Sequence, residues 1–304
     1  MSFLVADSLV KKYGSLVALD RFSLEVEQGT VFALVGPDGA GKTTMIRILC
    51  RLLDPDSGVV TIDGRDIAKE HERIKPILGY MPQQFSLYPD LSIEENLTFY
   101  AGLYGIVGQE YRRKRDQLYE FSNLRPFAGR RAGALSGGMK QKLALSCALI
   151  HDPRLLILDE PTTGVDPLSR RQFWEILKQL KSEGVTILVS TPYMDEVARC
   201  DRAAFIFGGR KLSEDTPPRL AASFVGQLFY IDCEPTSTLL ERINAIAGLT
   251  AVRFGAGLHL YLAADDSIAR YMLTLGGIGI SEDRITPINA DLEDRFIQLM
   301  ESIA

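Results

Sequence analysis

Eight consecutive residues have the types and spacing of a loop that holds phosphate groups: Gly36, Pro37, Asp38, Gly39, Ala40, Gly41, Lys42 and Thr43. The small residues let backbone N–H groups turn toward phosphate oxygens, and a helix that starts near Lys42 would point its positive end at them. The Lys42 ammonium can reach β- and γ-phosphates, and the Thr43 hydroxyl can bind Mg²⁺. A chance glycine-rich turn is disfavoured because the loop lies between a predicted buried strand and a predicted helix. It therefore predicts a site for a nucleoside triphosphate, with ATP and Mg²⁺ as the expected ligands.

Two carboxylates end the apolar run Leu155–Leu158. Asp159, at the carboxyl end of such a strand, can hold Mg²⁺ through water. Glu160 is the next residue and points elsewhere, so it can polarise an attacking water, either as a general base or as the group that orients the water. Taken alone, the pair would fit a solvated acidic turn, but a phosphate loop in the same domain favours the catalytic interpretation.

A second glycine cluster, Gly137 and Gly138, follows Ser136 and precedes a predicted helix over Lys142–Leu149. Ser136 can cap that helix, and the glycines leave backbone N–H groups at its positive end open to an anion. One nucleotide does not need two such sites on one chain. We therefore expect a dimer in which the second site of each chain covers the γ-phosphate bound by the other. An ordinary serine-capped helix start remains the alternative.

The elements around these motifs alternate between strand and helix, which predicts an α/β fold with a mostly parallel sheet. The first 30 residues alternate polar and apolar, as antiparallel strands do, and the apolar run Thr30–Val35 favours a buried parallel strand. Further predicted elements are a helix over Thr43–Leu53, a helix over Ser169–Ser182 and a strand over Val185–Ser190.

A helical insertion is predicted at about residues 87–135 of this first domain, which we place at residues 1–220. Ser92 and Glu95 have the spacing of a capping box at the start of its first helix. A proline-rich boundary at Asp215–Pro218 then separates the first domain from the C-terminal residues.

Residues 221–304 are expected to form a small α+β domain. Its β-α-β-β-α-β order is typical of a ferredoxin-like fold. The predicted elements are strand 228–233, helix 237–247, strand 249–254, strand 257–262, helix 266–276, strand 279–286 and a last helix from Asp291 to Ile303.

The bulk composition is that of a soluble globular protein, with 46% apolar and 24% charged residues in 304. A net charge of −5 argues against nucleic acid as a partner. No run of 18 apolar residues and no signal peptide is seen, so we expect a cytoplasmic chain whose membrane-spanning partner, if any, is separate. The basic run Arg112–Arg115 is interpreted as a solvated helix face, with a docking surface as the alternative.

Neither the cysteines nor the histidines have the spacing of a disulfide framework or a metal centre. We expect the cysteines to be free thiols, buried where their context is apolar. The residues concerned are Cys50, Cys147, Cys200, Cys233, His71, His151 and His259.

The segment Leu135–Gln141 resembles the signature sequence of ATP-binding cassette proteins, the nucleotide-binding subunits of ABC transporters. The resemblance covers about residues 3–220 and implies a head-to-tail dimer that encloses two ATP molecules. It identifies residues 36–44, ending in Thr44, as the Walker A loop of a P-loop NTPase, with Asp38 where asparagine is commoner.

The resemblance also implies catalytic roles for Lys42, Glu160 and Gln83. Gln83 matches the glutamine that senses Mg²⁺ and contacts the membrane subunit, although Gln84 is adjacent. Asp159 matches the Walker B aspartate, so Thr43, Gln83 and Asp159 are the expected metal-binding residues.

Two further residues are implied to touch nucleotide. Tyr13 matches the aromatic side chain that stacks on adenine, and Asp166, in Gly164–Pro167, matches the D-loop. Simpler interpretations stay open, with Tyr13 as an exposed strand aromatic and Asp166 as the cap of a helix beginning at Pro167.

Pro192 departs from the family pattern, which places a histidine there to reach the γ-phosphate. Proline has neither a polar side chain nor a backbone N–H, so it cannot make that contact. We therefore expect ATP to be bound well and hydrolysed slowly. A second cassette that carries the histidine, in a separate chain or in a tandem protein, is an expected partner, as is a second copy of this chain.

The segment Asp291–Phe296 resembles the ending of ATPases from bacterial ABC-2 type exporters, with a plain amphipathic closing helix as the alternative. The leading hypothesis is a cytoplasmic ATPase subunit, peripheral on the inner face of the membrane, that powers export through a separate permease. A soluble cassette without a transport role and a regulatory ATP-binding module of low turnover are the other candidates.

Overall fold

The structure is a computed structural model that describes residues 2–302. Two compact units divide the chain, the first ending at Pro217 and the second beginning at Pro218. The strands of the first unit are β1 (Ser2–Tyr13), β2 (Leu16–Glu27), β3 (Val31–Val35), β4 (Ser57–Ile62), β5 (Arg65–Asp66), β6 (Leu78–Met81), β7 (Leu155–Asp159), β8 (Thr186–Thr191), β9 (Arg202–Phe207) and β10 (Arg210–Asp215).

Helices lie between these strands and form the insertion. They are α1 (Lys42–Leu49), α2 (His71–Ile74), α3 (Ile93–Leu103), α4 (Gly108–Ser122), α5 (Gly137–Leu149), α6 (Pro167–Ser182) and α7 (Met194–Val197). A short helix, α8 (Pro217–Ala222), begins at the last residue of the first unit and continues into the second. The capping box predicted at the start of α3 is confirmed, because the Ser92 side chain accepts from the Glu95 backbone N–H and the Glu95 carboxylate accepts from the Ser92 N–H.

The central sheet has the order β10-β9-β3-β8-β7-β6. Its pairs are parallel from β9 through β6, and β10 alone runs antiparallel, to β9. The mixed α/β sheet expected from the sequence is confirmed. Every residue of β3 and β7 is buried, as in strands covered on both faces. Because β8 lies between β3 and β7, the end of β8 separates the phosphate loop from the acidic strand end.

A second sheet, β2-β1-β4-β5, is antiparallel throughout. This confirms the strand type predicted from the alternating pattern of the first 30 residues. Its apolar side chains share one core with α1 and β3, including Phe22, Leu24, Phe32, Met45 and Ile46.

Two helix boundaries of the first unit differ from the sequence prediction by four or five residues. Helix α1 ends at Leu49 instead of Leu53, because Arg51 adopts a positive φ of 57° that ends the helical turn. Helix α5 begins at Gly137 instead of Lys142, since both glycines are helical after the Ser136 cap.

The interpretation of Arg112–Arg115 as a solvated face is wrong for Lys114. The Lys114 side chain is buried, and its ammonium lies 2.7 Å from Asp152 Oδ2. Arg115 is half-buried and lies 3.0 Å from Glu94 Oε1. Carboxylates from other parts of the fold therefore neutralise two charges that were expected to be solvated. Arg112 and Arg113 are exposed, as the solvated-face interpretation expected.

The second unit contains the predicted β-α-β-β-α-β order. Its elements are β11 (Gln227–Ile231), α9 (Ser237–Asn244), β12 (Thr250–Phe254), β13 (Gly257–Leu262), α10 (Met272–Gly277), β14 (Ile285–Pro287) and α11 (Leu292–Glu301). The sheet order is β12-β13-β11-β14, antiparallel throughout. Helix α10 begins six residues later than predicted. Strand β14 is shorter than predicted, because Gly279 has φ 92° and a 3₁₀ turn occupies Glu282–Arg284.

Helix α11 contains the exporter-like segment and is tied to the sheet of the second unit. Asp291 and Asp294 form a capping box at its start. Asp294 is fully buried, accepts from Tyr261 Oη at 2.8 Å and lies 2.6 Å from His259 Nδ1. The predicted helix end at Ile303 lies outside the described residues.

Candidate functional site

The phosphate loop lies between β3 and α1, and its glycines are needed for two different reasons. A Cβ atom at Gly36 would lie 2.2 Å from the carbonyl oxygen of Ile206, so there is no space for a side chain. Gly39 and Gly41 have φ values of 79° and 109°, which other residues rarely adopt. Substitution at any of the three therefore distorts the loop.

Lys42 is the first residue of α1, and its side chain is only 4% exposed. Its ammonium donates to the carbonyl oxygens of Gly36 (2.8 Å) and Pro37 (3.1 Å), so the loop curls around it. The same nitrogen lies 3.0 Å from Glu160 Oε1. A phosphate bound in this loop would compete with these oxygen atoms for the Lys42 ammonium.

The rim of the loop is formed by Asp38 and Gly39, both exposed. Ala40 is buried, and Thr43 and Thr44, at the start of α1, are half-buried. Asp38 places a carboxylate at the rim where asparagine would be neutral, so anions that bind here meet an added negative charge.

Asp159 lies at the end of β7 with a side chain that is 1% exposed. Its Oδ1 accepts from Ser190 Oγ at 2.7 Å, whereas its Oδ2 is buried without a hydrogen-bond partner among the described residues. Burial raises the pKa of Asp159, and the hydroxyls of Ser190 and Thr43 oppose that rise. A buried carboxylate oxygen without a partner, close to a threonine hydroxyl, fits the oxygen ligands that Mg²⁺ prefers.

Glu160 turns away from Asp159 because its backbone adopts φ 48°, an unusual conformation for a residue with a side chain. Its backbone N–H donates to Ser190, to the carbonyl oxygen at 3.2 Å and to Oγ at 3.0 Å. Glu160 Oε1 faces Lys42, and Oε2 accepts from Gln83 Nε2 at 2.9 Å. The strained turn thus aims the Glu160 carboxylate at the phosphate loop.

These contacts bring together five residues singled out from the sequence: Lys42, Thr43, Gln83, Asp159 and Glu160. The choice of Gln83 over its neighbour is supported by its hydrogen bond to Glu160.

Tyr13 ends β1 and is 46% exposed, with the Lys11 ammonium 5.9 Å from the centre of its ring. The hairpin that carries Tyr13 also carries Ala18, whose carbonyl oxygen would lie 2.5 Å from a Cβ at Gly41. The hairpin therefore borders the phosphate loop, and Tyr13 is an exposed aromatic residue on it.

The second glycine cluster forms the start of α5. Ser136 Oγ accepts from the Met139 N–H at 3.4 Å, which confirms the cap. Ser136 and Gly137 are exposed, whereas Gly138 is buried, and a Cβ there would lie 2.4 Å from Ser169 Oγ on α6. Within residues 2–302 no hydrogen bond or ion pair joins this cluster to the phosphate loop.

Asp166 caps α6, as the simpler interpretation expected. Its Oδ1 accepts from the Ser169 N–H at 2.9 Å, and hydrogen bonds from Ser169 lower the pKa of Asp166. The residue is exposed, so its side chain is open to a partner as well.

Pro192 follows β8 and is half-buried. The residues on each side of it are held in place, since the Tyr193 N–H donates to Thr191 Oγ1 at 3.1 Å. Thr191 Oγ1 donates to Glu196 Oε2 at 2.6 Å, and Arg170 stacks over the Tyr193 ring at 4.2 Å.

Two residues of this site were missed from the sequence. Ser190 bonds both Asp159 and the Glu160 backbone, and its position at the end of an apolar strand was a usable signal. Glu196 is fully buried, yet it follows the exposed Asp195, and nothing in the adjacent residues distinguishes the two carboxylates, so the sequence carried no signal for it.

Comparison with known proteins agrees with this geometry. Residues 19–163 match the family model described as ABC transporter. The chain is 41% identical over 281 residues to the probable multidrug ABC transporter ATP-binding protein YbhF of Escherichia coli strain K12. That alignment covers 90% of this chain and 48% of the relative, so the chain spans about half the length of that protein.

Another relative matches along almost its whole length. The Nod factor export ATP-binding protein I of Burkholderia orbicola is 35% identical over 291 residues, which is 95% of this chain and 94% of the relative.

Solved structures share the fold of the cassette. An ATP-binding subunit of an ABC transporter superposes with a TM-score of 0.67 at 31% identity, covering 73% of this chain and 93% of that one. A dimeric ATP-binding cassette bound to ADP and phosphate superposes with a TM-score of 0.64 at 27% identity, covering 70% and 98%. The resemblance inferred from the signature sequence is confirmed: the chain belongs to the ABC transporter family and carries its ATP-binding cassette.

Proposed function

We propose that this chain binds ATP with Mg²⁺ and hydrolyses it as the ATP-binding subunit of an ABC-2 type exporter. The observation that carries the proposal is the convergence of Lys42, Glu160 and Gln83 at the phosphate loop. The relatives named for multidrug transport and Nod factor export support an export role.

The residues divide the chemistry among them. When ATP binds, the Lys42 ammonium would leave Glu160 and contact β- and γ-phosphate oxygens instead. The Glu160 carboxylate would then be free to accept a proton from an attacking water. Gln83 would orient Glu160 through the amide that already donates to it. Thr43, Asp159 and Gln83 would hold Mg²⁺, which neutralises charge on the phosphates when bound.

The site is completed by a second cassette in this proposal. Ser136 and Gly137 leave the amino end of α5 exposed, where an anion is favoured, and Asp166 is exposed at the start of α6. The dimeric structure of a related ATP-binding cassette supports a pair of cassettes.

A membrane permease is the proposed transport partner, which would place the chain on the cytoplasmic face of the membrane. A cavity of about 320 Å³ adjoins Met81 and Pro82, immediately before Gln83, and has tyrosines and exposed apolar groups along it.

Among residues 2–302 no helix has the length and apolarity needed to cross a membrane. In that range no group of three His, Cys, Asp or Glu residues is arranged to hold a metal, and all four cysteines are free thiols.

Pro192 favours a second candidate, an ATP-binding module of low turnover with a regulatory role. Nothing at position 192 can donate to a γ-phosphate. In the exporter proposal, the same residue predicts slow hydrolysis beside a cassette that carries a histidine. The E. coli relative has about as much additional sequence as the part that matches this chain.

ATP binding and steady-state hydrolysis by the purified full chain test these alternatives. We expect tight MgATP binding and slow turnover that falls to background in Glu160→Gln and rises in Pro192→His. Turnover equal to background in every variant would favour the regulatory module. Failure to bind MgATP would contradict both candidates.

A further inference from the structure

Glu196 is a buried carboxylate that the proposed chemistry does not use. Its side chain is 0% exposed, and both oxygens accept hydrogen bonds from threonines. Thr162 Oγ1 donates to Oε1 at 2.5 Å, and Thr191 Oγ1 donates to Oε2 at 2.6 Å. Arg170 Nε lies 3.6 Å from Oε1 and supplies a positive charge beside it. Burying a carboxylate is costly unless such donors satisfy it.

The two threonines belong to the two segments that would face the terminal phosphate. Thr162 lies two residues after Glu160, in a loop with two internal hydrogen bonds. The Thr163 N–H donates to the Glu160 carbonyl oxygen, and the Val165 N–H donates to the Thr162 carbonyl oxygen. Thr191 lies immediately before Pro192. Glu196 therefore joins the catalytic loop to the segment that lacks the histidine.

The loop after Glu160 needs such a restraint. A non-glycine residue at φ 48° persists only where its surroundings over-determine it. Ser190 holds the Glu160 backbone from one side. Thr162 is held from the other side by Glu196, which lies on α7 and so on a regular element.

We propose that Glu196 is a positioning residue that sets the geometry of the Glu160 loop relative to the segment at Pro192. This inference rests on the proposed hydrolysis at Glu160. With proline at position 192, no side chain there can connect the loop to the phosphate. The buried hydrogen bonds through Glu196 then keep the two segments in a fixed position relative to each other.

Paired substitutions at Thr162 test the link with little change in volume. Thr162→Val removes the hydroxyl and keeps the branched shape, whereas Thr162→Ser keeps the hydroxyl. We expect Thr162→Val and Glu196→Gln to lower kcat about tenfold while KM changes less than about twofold. Thr162→Ser should recover most of kcat. A purely structural role would instead lower kcat and MgATP affinity together, or leave the serine and valine variants alike.

Amide hydrogen exchange of the full chain decides the link without needing turnover. In Thr162→Val and Glu196→Gln, the amides of Glu160, of residues 162–165 and of Tyr193 should exchange at least about tenfold faster, with α4 unchanged. In Thr162→Ser they should exchange at the wild-type rate. Unchanged exchange in the valine and glutamine variants overturns the inference.

The two failures can be told apart. Faster exchange in the two variants, together with a wild-type chain that never hydrolyses ATP above the Glu160→Gln background, would refute the proposed hydrolysis, and with it a positioning role of Glu196 in catalysis, while the physical link stands. Normal hydrolysis with unchanged exchange would refute the link alone.

Discussion

Glu160→Gln is expected to destabilise the chain in the absence of nucleotide and to tighten its binding of ATP. Glu160 Oε1 and Lys42 Nζ are 3.0 Å apart, and the two side chains are 5% and 4% exposed. Glutamine keeps the shape of the side chain and removes its charge. Lys42 then remains a buried cation whose acceptors are neutral carbonyl oxygens.

The magnitude is set by the burial of this pair. Removing one partner of a buried ion pair costs about 3–5 kcal/mol. Lys42 keeps the carbonyl oxygens of Gly36 and Pro37, so we expect the loss of unfolding free energy to be about 2–3 kcal/mol. Bound phosphates restore a negative partner, and recovery of ~2 kcal/mol on binding would lower the Kd for MgATP roughly thirtyfold.

Urea unfolding without nucleotide and titration with a fluorescent ATP analogue measure the two halves of this prediction. Glu183→Gln is the matched control, because Glu183 is exposed and its contact is with Gln179. That variant loses the same charge away from Lys42 and should behave as wild type in both assays.

The reasoning is refuted if Glu160→Gln is as stable as wild type and binds MgATP with the same or a higher Kd. That result would mean that the ion pair contributes no net stability and does not compete with phosphate.

Other substitutions test the packing of α5, the cap of α3 and the charge of Glu94. Gly138→Ala should cost about 1–3 kcal/mol in urea unfolding, because its Cβ would lie 2.4 Å from a serine hydroxyl, whereas Gly137→Ala, with 3.6 Å of space, should be near neutral. Ser92→Ala should cost about 1 kcal/mol by loss of its cap, measured by thermal unfolding. Burial raises the pKa of Glu94, but hydrogen bonds from two tyrosines and an arginine outweigh this and hold it below 4.5. The stability of wild type over Glu94→Gln should therefore be present above pH 4.5 and shrink as the pH falls through the folded-state pKa, while the exposed control Glu120→Gln shows no such difference.

Local patterns were enough to predict several features. The phosphate loop, the cap at Ser136 and the capping box at Ser92 each depend on residues within a few positions of one another, so their spacing carries the signal. The alternation in the first 30 residues likewise predicted antiparallel strands, because side chains on a strand alternate between its faces.

Features that depend on distant partners were predicted less well. Lys114 was expected in solvent, yet Asp152 neutralises it in a buried position. Helix α1 stops four residues early, near the left-handed residue Arg51, which no propensity indicated.

The sequence by itself determined that this chain has a phosphate loop, an acidic strand end and a capped glycine cluster, since each is written in adjacent residues. Only the tertiary structure decided that Lys42 meets Glu160, that Gln83 approaches it across 77 positions of sequence, and that Glu196 is buried between two threonines. The reason is the strand order. Inserting β8 between β3 and β7 sets which loop ends meet, and that order is a property of the whole sheet.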